Sequence, residues 1–249
     1  EFIGLRNFTE LFADPLFYKS MSNTLYFVFL VVPLTMIISF GLALLLNQKV
    51  KALPLFRTVF YIPSIVPFVA SAVLWMWLLQ PQYGLVNGMI KTIGLRPPTW
   101  LASEIWAKPA LVLMLLWGSG STMLIYLAGL QGVPESLLEA AHIDGANSFQ
   151  RFIHITLPMM TPTIFFTLTM GIISTFQVFS IVYVMTSGMG GPQNSTLVYL
   201  LYMFRQAFVF FKMGYASAMA LILFLIVLMV TVVQFVLAPI WVYYEVEGR

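Results

Sequence analysis

Five long runs of apolar residues, none with an ionisable side chain in its interior, set the strongest limit on how this chain can fold. They are roughly Ser20–Leu46, Phe56–Leu79, Pro109–Leu130, Pro158–Met185 and Tyr215–Val236. Each reaches the ~20 apolar residues that cross a bilayer as a helix and exceeds the ~9–11 residues of a transmembrane strand. The sequence therefore predicts an all-α, polytopic transmembrane domain, with residues 1–249 forming one domain that has five spans.

The composition agrees with a chain that lies mostly in lipid. Hydrophobic residues make up 60% of the 249 residues and charged residues 8%, whereas a soluble domain carries about a quarter charged residues. The chain has no cysteine, which excludes disulfides and thiolate metal sites. The net charge of +3 comes mostly from loop residues and does not indicate a nucleic-acid partner.

Sequence motifs for catalysis are missing. No G-x-x-x-x-G-K-[ST] string occurs, so the chain cannot hold ATP phosphates with a P-loop. No zinc-protease motif, paired carboxylates or catalytic triad can be recognised either. His142 and His154 both lie in one polar loop, where solvated histidines are a simpler interpretation than a metal site. We expect that this chain is not an enzyme and binds no metal or cofactor itself.

The segment EAAHIDGANSFQRFIHITLP, from Glu139 to Pro158, concentrates charge in a chain that has little of it. Helix-forming residues lead to Gly145, which can supply the left-handed residue that ends a helix. Asn147 or Ser148 can cap a second helix, and Pro158 opens the next apolar run. The pattern predicts two short helices at an angle outside the membrane, a shape suited to docking into a groove on a partner.

The same segment matches E-A-A-x3-G-x9-I-x-L-P and resembles the cytoplasmic EAA loop of permease subunits in bacterial ABC importers. The strings YLAGLQGVPESLL, LPLFRTVFYIPSIVP, PQYGLVN and MTSGMGGPQNSTLVYLLY are similar to the sugar-uptake branch, the maltose-type permease family. This resemblance implies a type I ABC importer permease fold, in which residues 134–157 form a cytoplasmic ATPase-docking loop. The docking residues that it implies are Glu139, Ala140, Ala141, Asp144 and Gly145.

Within that loop, the resemblance implies a separate task for several residues. Glu139 would meet a basic residue on the ATPase, Ala140 and Ala141 would allow close approach, and Gly145 would set the angle between the helices. An ordinary amphipathic connector between two spans is the alternative.

The resemblance also implies partners and a location. The partners are a second, similar permease, two ATPase subunits that bind ATP and Mg, and an extracytoplasmic substrate-binding protein, in the bacterial cytoplasmic (inner) membrane. A cytoplasmic docking loop puts residues 1–19, 80–108 and 187–214 outside, although a count of Lys and Arg weakly favours the opposite orientation. An odd number of spans then leads us to expect a sixth span upstream of Glu1.

Uncharged polar side chains near the middle of two runs suggest what the chain transports. Ser119, Thr122 and Tyr126 share one helical face of the third run, and Ser174 and Gln177 lie near one face of the fourth. Hydroxyl, amide and aromatic groups suit a hydroxyl-rich ligand such as a sugar, so we predict that these five residues line a substrate path. The alternative is that small polar residues let the helices pack closely.

The expected function is therefore that of a permease subunit in an ATP-driven importer that moves a sugar or oligosaccharide into the cytoplasm. One alternative is an ABC permease for a non-sugar solute such as glycerol phosphate or an amino acid, and a less favoured one is a secondary transporter. Ion-coupled carriers generally need ionisable groups at mid-depth, and the interiors of the runs have none.

One further segment, LVYLLYMFRQAFVFFK from residue 197 to 212, is amphipathic. We expect it to lie along the membrane surface, with Tyr199, Tyr202 and Phe208 at the depth of the lipid headgroups.

Overall fold

The computed structural model describes residues 3–48 and 52–243, which form helices and connecting segments without a β-strand in those two ranges. The α-helices are α1 (Arg6–Ala13), α2 (Pro15–Leu46), α3 (Leu53–Ile65), α4 (Phe68–Leu78), α5 (Leu85–Thr92), α6 (Ala107–Trp117), α7 (Gly120–Gln131), α8 (Glu135–Ile143), α9 (Ser148–Arg151), α10 (Leu157–Phe176), α11 (Ser180–Met185), α12 (Tyr199–Phe204) and α13 (Met213–Trp241). A 3₁₀ turn covers Trp100–Ala102, and π-helical turns cover Phe152–Thr156 and Arg205–Val209. The predicted all-α class is confirmed.

The five predicted runs correspond to three continuous helices and two bent pairs in the described part of the chain. Helix α2, the continuous helix Ser148–Phe176 and helix α13 are each long and apolar enough to cross a membrane. The pairs α3–α4 and α6–α7 qualify only if each bent pair counts as one span. The second and third runs are therefore not single unbroken helices.

Proline and glycine account for the two breaks. Val66 and Pro67 separate α3 from α4, and a residue before proline is disfavoured in the α conformation. The break between α6 and α7 falls at Gly118 and Ser119. Prolines inside α2 and α10 do not end those helices.

The fourth run differs from the expectation at both ends. Its helix begins at Ser148 and ends at Phe176, and a break at 177–179 separates it from α11. The predicted second docking helix is thus the first part of the spanning helix, and Pro158 does not start a new one. A proline ring clashes with the carbonyl four residues earlier in an α-helix, and the wider π turn at Phe152–Thr156 gives the ring room.

The described residues divide into two compact units. The first unit is drawn from residues 1–32, 66–117 and 172–229, and the second from residues 33–65, 118–171 and 230–249. The described parts of all three segments predicted to face outside belong mainly to the first unit, and the predicted docking loop belongs to the second.

Buried polar contacts connect α2 to α12 in the first unit. The Asn23 side-chain amide donates to the carbonyl of Asn194 (2.9 Å), and the Tyr199 backbone amide donates to the Thr24 hydroxyl (2.8 Å). Tyr199 itself is fully buried, and its phenol donates to the carbonyl of Met219 (2.8 Å).

These contacts overturn the expectation of a surface helix at residues 197–212. Tyr199 and Tyr202 are buried inside the first unit and not placed at its surface, whereas Phe208 is exposed. An amphipathic pattern fits a helix that packs on its own protein as well as a helix that lies on a membrane, and here the protein contact is the one formed.

Asp14 connects the start of α2 to α12 and α13. The phenols of Tyr202 and Tyr215 donate to its Oδ2 atom, the latter at 2.7 Å, and the Leu16 amide donates to its Oδ1 atom at 2.9 Å. Burial raises the pKa of the Asp14 carboxyl, but these hydrogen bonds lower it by more, so the pKa lies below its ordinary value. Burial and the hydrogen bond to Asp14 raise the pKa of Tyr202 to about 12.

The core of the second unit forms where α2, α7 and α10 pack together. Its buried residues are Ala43, Leu46, Met123, Tyr126, Leu127, Leu130 and Met160. Helix α7 also passes very close to α3, because a Cβ atom on Gly120 would lie only 2.2 Å from the Phe60 carbonyl oxygen.

Candidate functional site

A turn at Gly145 gives the predicted docking loop its shape. Gly145 has a φ of +85°, a conformation that favours glycine. Its amide donates to the His142 carbonyl (3.1 Å), and the next amide, that of Ala146, donates to the Ala141 carbonyl (2.9 Å). These two bonds form a Schellman motif that satisfies carbonyls at the end of α8. Gly145 ends α8 as the sequence predicts.

Asn147 starts the helix that follows. Its side-chain oxygen accepts a hydrogen bond from the Gln150 amide (2.9 Å), and the Gln150 side chain accepts one from the Asn147 amide (2.8 Å). This reciprocal pair is a capping box. The Schellman motif and the capping box together fix the turn between α8 and the helix that follows. We call this segment, residues 135–155, the elbow.

The predicted docking residues lie at the surface of the elbow. Glu139, Ala140, Asp144 and Gly145 are exposed, and Ala141 is half-buried. The small alanine side chains leave the surface of α8 open to close approach by another protein.

Two large apolar side chains on the elbow received no docking role from the sequence. Ile143 is 86% exposed and Phe149 is 70% exposed. Large exposed apolar side chains in a polar loop are typical of a surface that contacts another protein or a membrane. The signal that could have identified them is the presence of bulky apolar residues on each side of Gly145.

The elbow also forms a groove of about 350 Å³. It is lined by Ala141, Asp144, Gly145, Ala146, Gln150, Arg151, His154 and Ile155. His154 Nδ1 lies 2.9 Å from the Gln150 carbonyl oxygen. Among residues 3–48 and 52–243, no group of three His, Cys, Asp or Glu side chains could hold a metal.

Ser119 and Thr122, from the predicted substrate path, lie at the start of α7 in the second unit. Ser119 is the buried N-cap residue, and its backbone carbonyl accepts a hydrogen bond from the Ser39 hydroxyl (2.9 Å). Thr122 is half-buried.

Tyr126, the third predicted path residue on α7, lies in the core of the second unit. Its side chain is 1% exposed, and its hydroxyl lies 2.7 Å from the Thr167 hydroxyl. The Phe40 ring packs edge-on against it, with the ring centroids 5.2 Å apart. Because the phenol already has a partner, these contacts favour the packing interpretation for Tyr126.

Ser174 and Gln177, the other predicted path residues, are close to each other in the first unit. Ser174 is in the last turn of α10, and Gln177 follows the end of that helix, with its amide donating to the Ser174 carbonyl (3.2 Å). Both side chains are exposed. The five predicted path residues thus fall into two groups in two units, and their transport role stays a prediction.

Comparison with known proteins gives a consistent set of relatives. Residues 35–241 match the family described as "Binding-protein-dependent transport system inner membrane component". The chain is 42% identical over 248 residues to "Probable ABC transporter permease protein YesP" of Bacillus subtilis (strain 168), covering 98% of this chain and 80% of the relative. It is 37% identical over 240 residues to "Lactose transport system permease protein LacF" of Rhizobium radiobacter, covering 94% and 79%.

A solved structure is also similar over most of the fold. It belongs to a bacterial ABC transporter involved in the import of the acidic polysaccharide alginate. The TM-score is 0.87 at 25% sequence identity, and the match covers 96% of this chain and 84% of the other.

Proposed function

We propose, because the chain belongs to the family of binding-protein-dependent transport system inner membrane components, that it is the permease subunit of an ATP-driven importer for a sugar or oligosaccharide. The chain is an all-helical ABC transporter permease of the inner membrane. The proposal adds the solute, the partner chains and the residues through which they act.

Two kinds of observation support a sugar as the solute. The relative LacF is named for lactose, and the similar solved structure is an importer of alginate. The apolar runs of this chain have hydroxyl and amide side chains and no ionisable residue in their interiors, a composition that suits a hydroxyl-rich solute. We therefore propose a sugar or oligosaccharide.

The elbow around Gly145 is the observation that carries the coupling part of the proposal. It presents Glu139 and the two adjacent alanines on an exposed helix, with exposed Ile143 and Phe149 beside them. Such a surface offers one charged side chain that can pair with an opposite charge on a partner, and apolar side chains that the partner can bury. We infer that it docks on an ATPase subunit.

The complete importer then needs further chains. We propose a second permease, two ATPase subunits that bind ATP and Mg, and an extracytoplasmic binding protein that delivers the sugar. In this arrangement the present chain binds no nucleotide and performs no catalysis. Its task is to convert movement of the ATPase into opening of the path.

The docking role can be tested with a matched pair of variants in the assembled importer. Glu139 and Glu135 are both exposed and lie one turn apart on α8. Removal of one partner of a docked charge pair costs about 2–5 kcal/mol. We therefore expect Glu139→Ala to lower sugar transport and sugar-stimulated ATP hydrolysis in proteoliposomes, whereas Glu135→Ala leaves both near the wild-type rate. Normal assembly and coupling in Glu139→Ala would show that the docking role is wrong.

The solute is tested separately by the specificity of stimulation. Hydrolysis by the reconstituted importer with its binding protein should rise with a sugar or oligosaccharide and not with glycerol phosphate or amino acids. Stimulation by one of the latter would identify a permease for a non-sugar solute. Uptake that persists after ATP depletion and follows a proton gradient would identify a secondary transporter.

A further inference from the structure

The segment between the second and third predicted spans carries an exposed apolar stripe. Leu85, Met89 and Ile93 follow one another at four-residue spacing along and just beyond α5, so they share one face of the helix. Their exposed fractions are 54%, 60% and 70%. Three large apolar side chains in a row on one face are costly to leave in water.

The orientation of this stripe is fixed by a buried asparagine on another side of α5. Asn87 is 1% exposed, and its amide nitrogen donates to the carbonyls of Pro81 (3.2 Å) and Pro98 (3.3 Å). Its side-chain oxygen accepts a hydrogen bond from the Trp100 indole N–H (2.6 Å). Asn87 therefore connects α5 to Pro81 before the helix and to Pro98 and Trp100 after it. The stripe lies on the side of α5 that faces away from Asn87.

The residues around the stripe have the chemistry of a membrane–water interface. Lys91 is exposed on the side of α5 opposite the stripe, Arg96 is exposed three residues after Ile93, and Trp77, Tyr83 and Trp106 are exposed at the two ends of the segment. Tryptophan and tyrosine concentrate at the depth of lipid headgroups, and basic residues on the polar face of an amphipathic helix attract anionic lipids.

The position of the segment also favours lipid as the occupant. Helix α4 ends at Leu78 and α6 begins at Ala107, and both belong to bent pairs that qualify as spans. The segment of residues 80–106 therefore joins the end of one apolar helix to the start of another. Between residues 80 and 106 the cations are Lys91 and Arg96, and Glu104 is the single carboxylate, so the local charge favours an anionic surface.

We propose that α5 lies in the membrane interface, with Leu85, Met89 and Ile93 at the boundary between headgroups and acyl chains and with Lys91 and Arg96 on anionic phospholipid headgroups. This contact goes beyond the proposed transport function, which requires no lipid recognition at this segment. It anchors the 80–106 segment of the first unit to the bilayer surface.

The absence of cysteine allows a direct test with single spin labels in the assembled importer in nanodiscs that contain phosphatidylglycerol. The labelled variants are Met89→Cys and Ile93→Cys, and the matched control is Gly88→Cys. Gly88 is exposed, a Cβ atom there meets nothing within 4 Å, and it lies about 100° around the helix from Met89.

The proposal makes different predictions for the middle of the stripe and for position 88, which lies at its edge three residues after Leu85. Labels at 89 and 93 should collide several-fold more with oxygen than with an aqueous nickel chelate, relative to the label at 88. The additional change Lys91→Gln with Arg96→Gln should make these labels shallower in phosphatidylglycerol nanodiscs but not in pure phosphatidylcholine nanodiscs. Equal aqueous access at 88, 89 and 93 would overturn the proposal. So would immobilisation of the labels only when the extracytoplasmic binding protein is added, because the stripe would then be a protein-docking surface.

Discussion

Replacing Gly120 with alanine tests the close contact between α3 and α7 in the second unit. A Cβ atom at this position would lie 2.2 Å from the Phe60 carbonyl oxygen and 3.0 Å from the Tyr61 Cα atom. Close contacts between carbon and carbonyl oxygen are usually about 3.3 Å or longer, so α3 and α7 would have to separate by about 1 Å. Both obstacles are backbone atoms, which cannot move out of the way by changing a rotamer.

The expected cost is the difference between two opposing effects. Overpacking a core typically costs about 1–3 kcal/mol, and the upper end applies because whole helices must shift. Alanine recovers about 1 kcal/mol of helix propensity over glycine. The net loss for Gly120→Ala is therefore about 2 kcal/mol, which corresponds to a fall of roughly 4–8 °C in apparent Tm for a chain of this size.

The assay is thermal unfolding of the purified protein, followed by the loss of its monodisperse peak in size-exclusion chromatography. Gly41→Ala is the matched control, since Gly41 lies inside α2 in the same unit and a Cβ atom there meets nothing within 4 Å. It should melt at or slightly above the wild-type temperature. If Gly120→Ala melts together with Gly41→Ala, α3 and α7 are not as close as the structure indicates.

The remaining predictions concern the Asp14 cluster, the substrate path and the docking surface. The pKa of Asp14 is lowered on folding, so its carboxylate stabilises the protein at pH values above the ordinary pKa of 3.8. This stabilisation is lost as the pH falls through the pKa of the folded state. Asp14→Asn should therefore have a lower Tm than the wild type at pH 7, and the difference should shrink towards pH 3. Tyr126→Phe should lower the free energy of unfolding by about 1 kcal/mol and leave sugar preference unchanged in the ATPase assay. Gln177→Leu should reduce stimulation of hydrolysis by sugar with little loss of Tm. An altered sugar preference for Tyr126→Phe would show that Tyr126 lines the path after all. Ile143→Ser should weaken copurification with the ATPase about tenfold or more, because burial of such a side chain contributes about 1.5–3 kcal/mol, while Ile105→Ser, at a similarly exposed position in a segment predicted to face outside, should leave copurification unchanged.

The apolar runs could be located from the sequence because a length of about 20 apolar residues is enough to identify a candidate membrane span. Their breaks could not be placed in the same way. The runs contain several prolines, and Pro67 lies at a break while the prolines inside α2 and α10 do not end a helix. Pro33 lies within a continuous α-helix, whereas Pro158 follows a π turn at Phe152–Thr156, so the residue pattern around a proline does not show whether the helix continues through it.

The elbow was predictable because its determinants are local. The left-handed glycine at 145 and the capping asparagine at 147 act through residues one turn away, and their side-chain chemistry leaves few alternatives. Tyr126 and Tyr199 show the opposite case. Their partners, the Thr167 hydroxyl and the Met219 carbonyl, lie on other helices, so a pattern within one helix could not separate a packed tyrosine from one that faces a ligand or a membrane.

The continuity of the helix after the elbow gives the proposed docking role a mechanical consequence. From Ser148 to Phe176 the chain forms one helix of 29 residues, about 44 Å long at 1.5 Å per residue. The spans formed by α3–α4 and α6–α7 are interrupted, but this helix has no break before the three residues that begin at Gln177. In the proposed docking arrangement, a displacement of the elbow by an ATPase would act directly on the part of this helix that belongs to the second unit, residues 148–171. The π-helical turn at Phe152–Thr156 and Pro162 are the positions in that part of the helix where the backbone can bend, so they determine how much of a movement at the docking loop reaches the rest of the second unit.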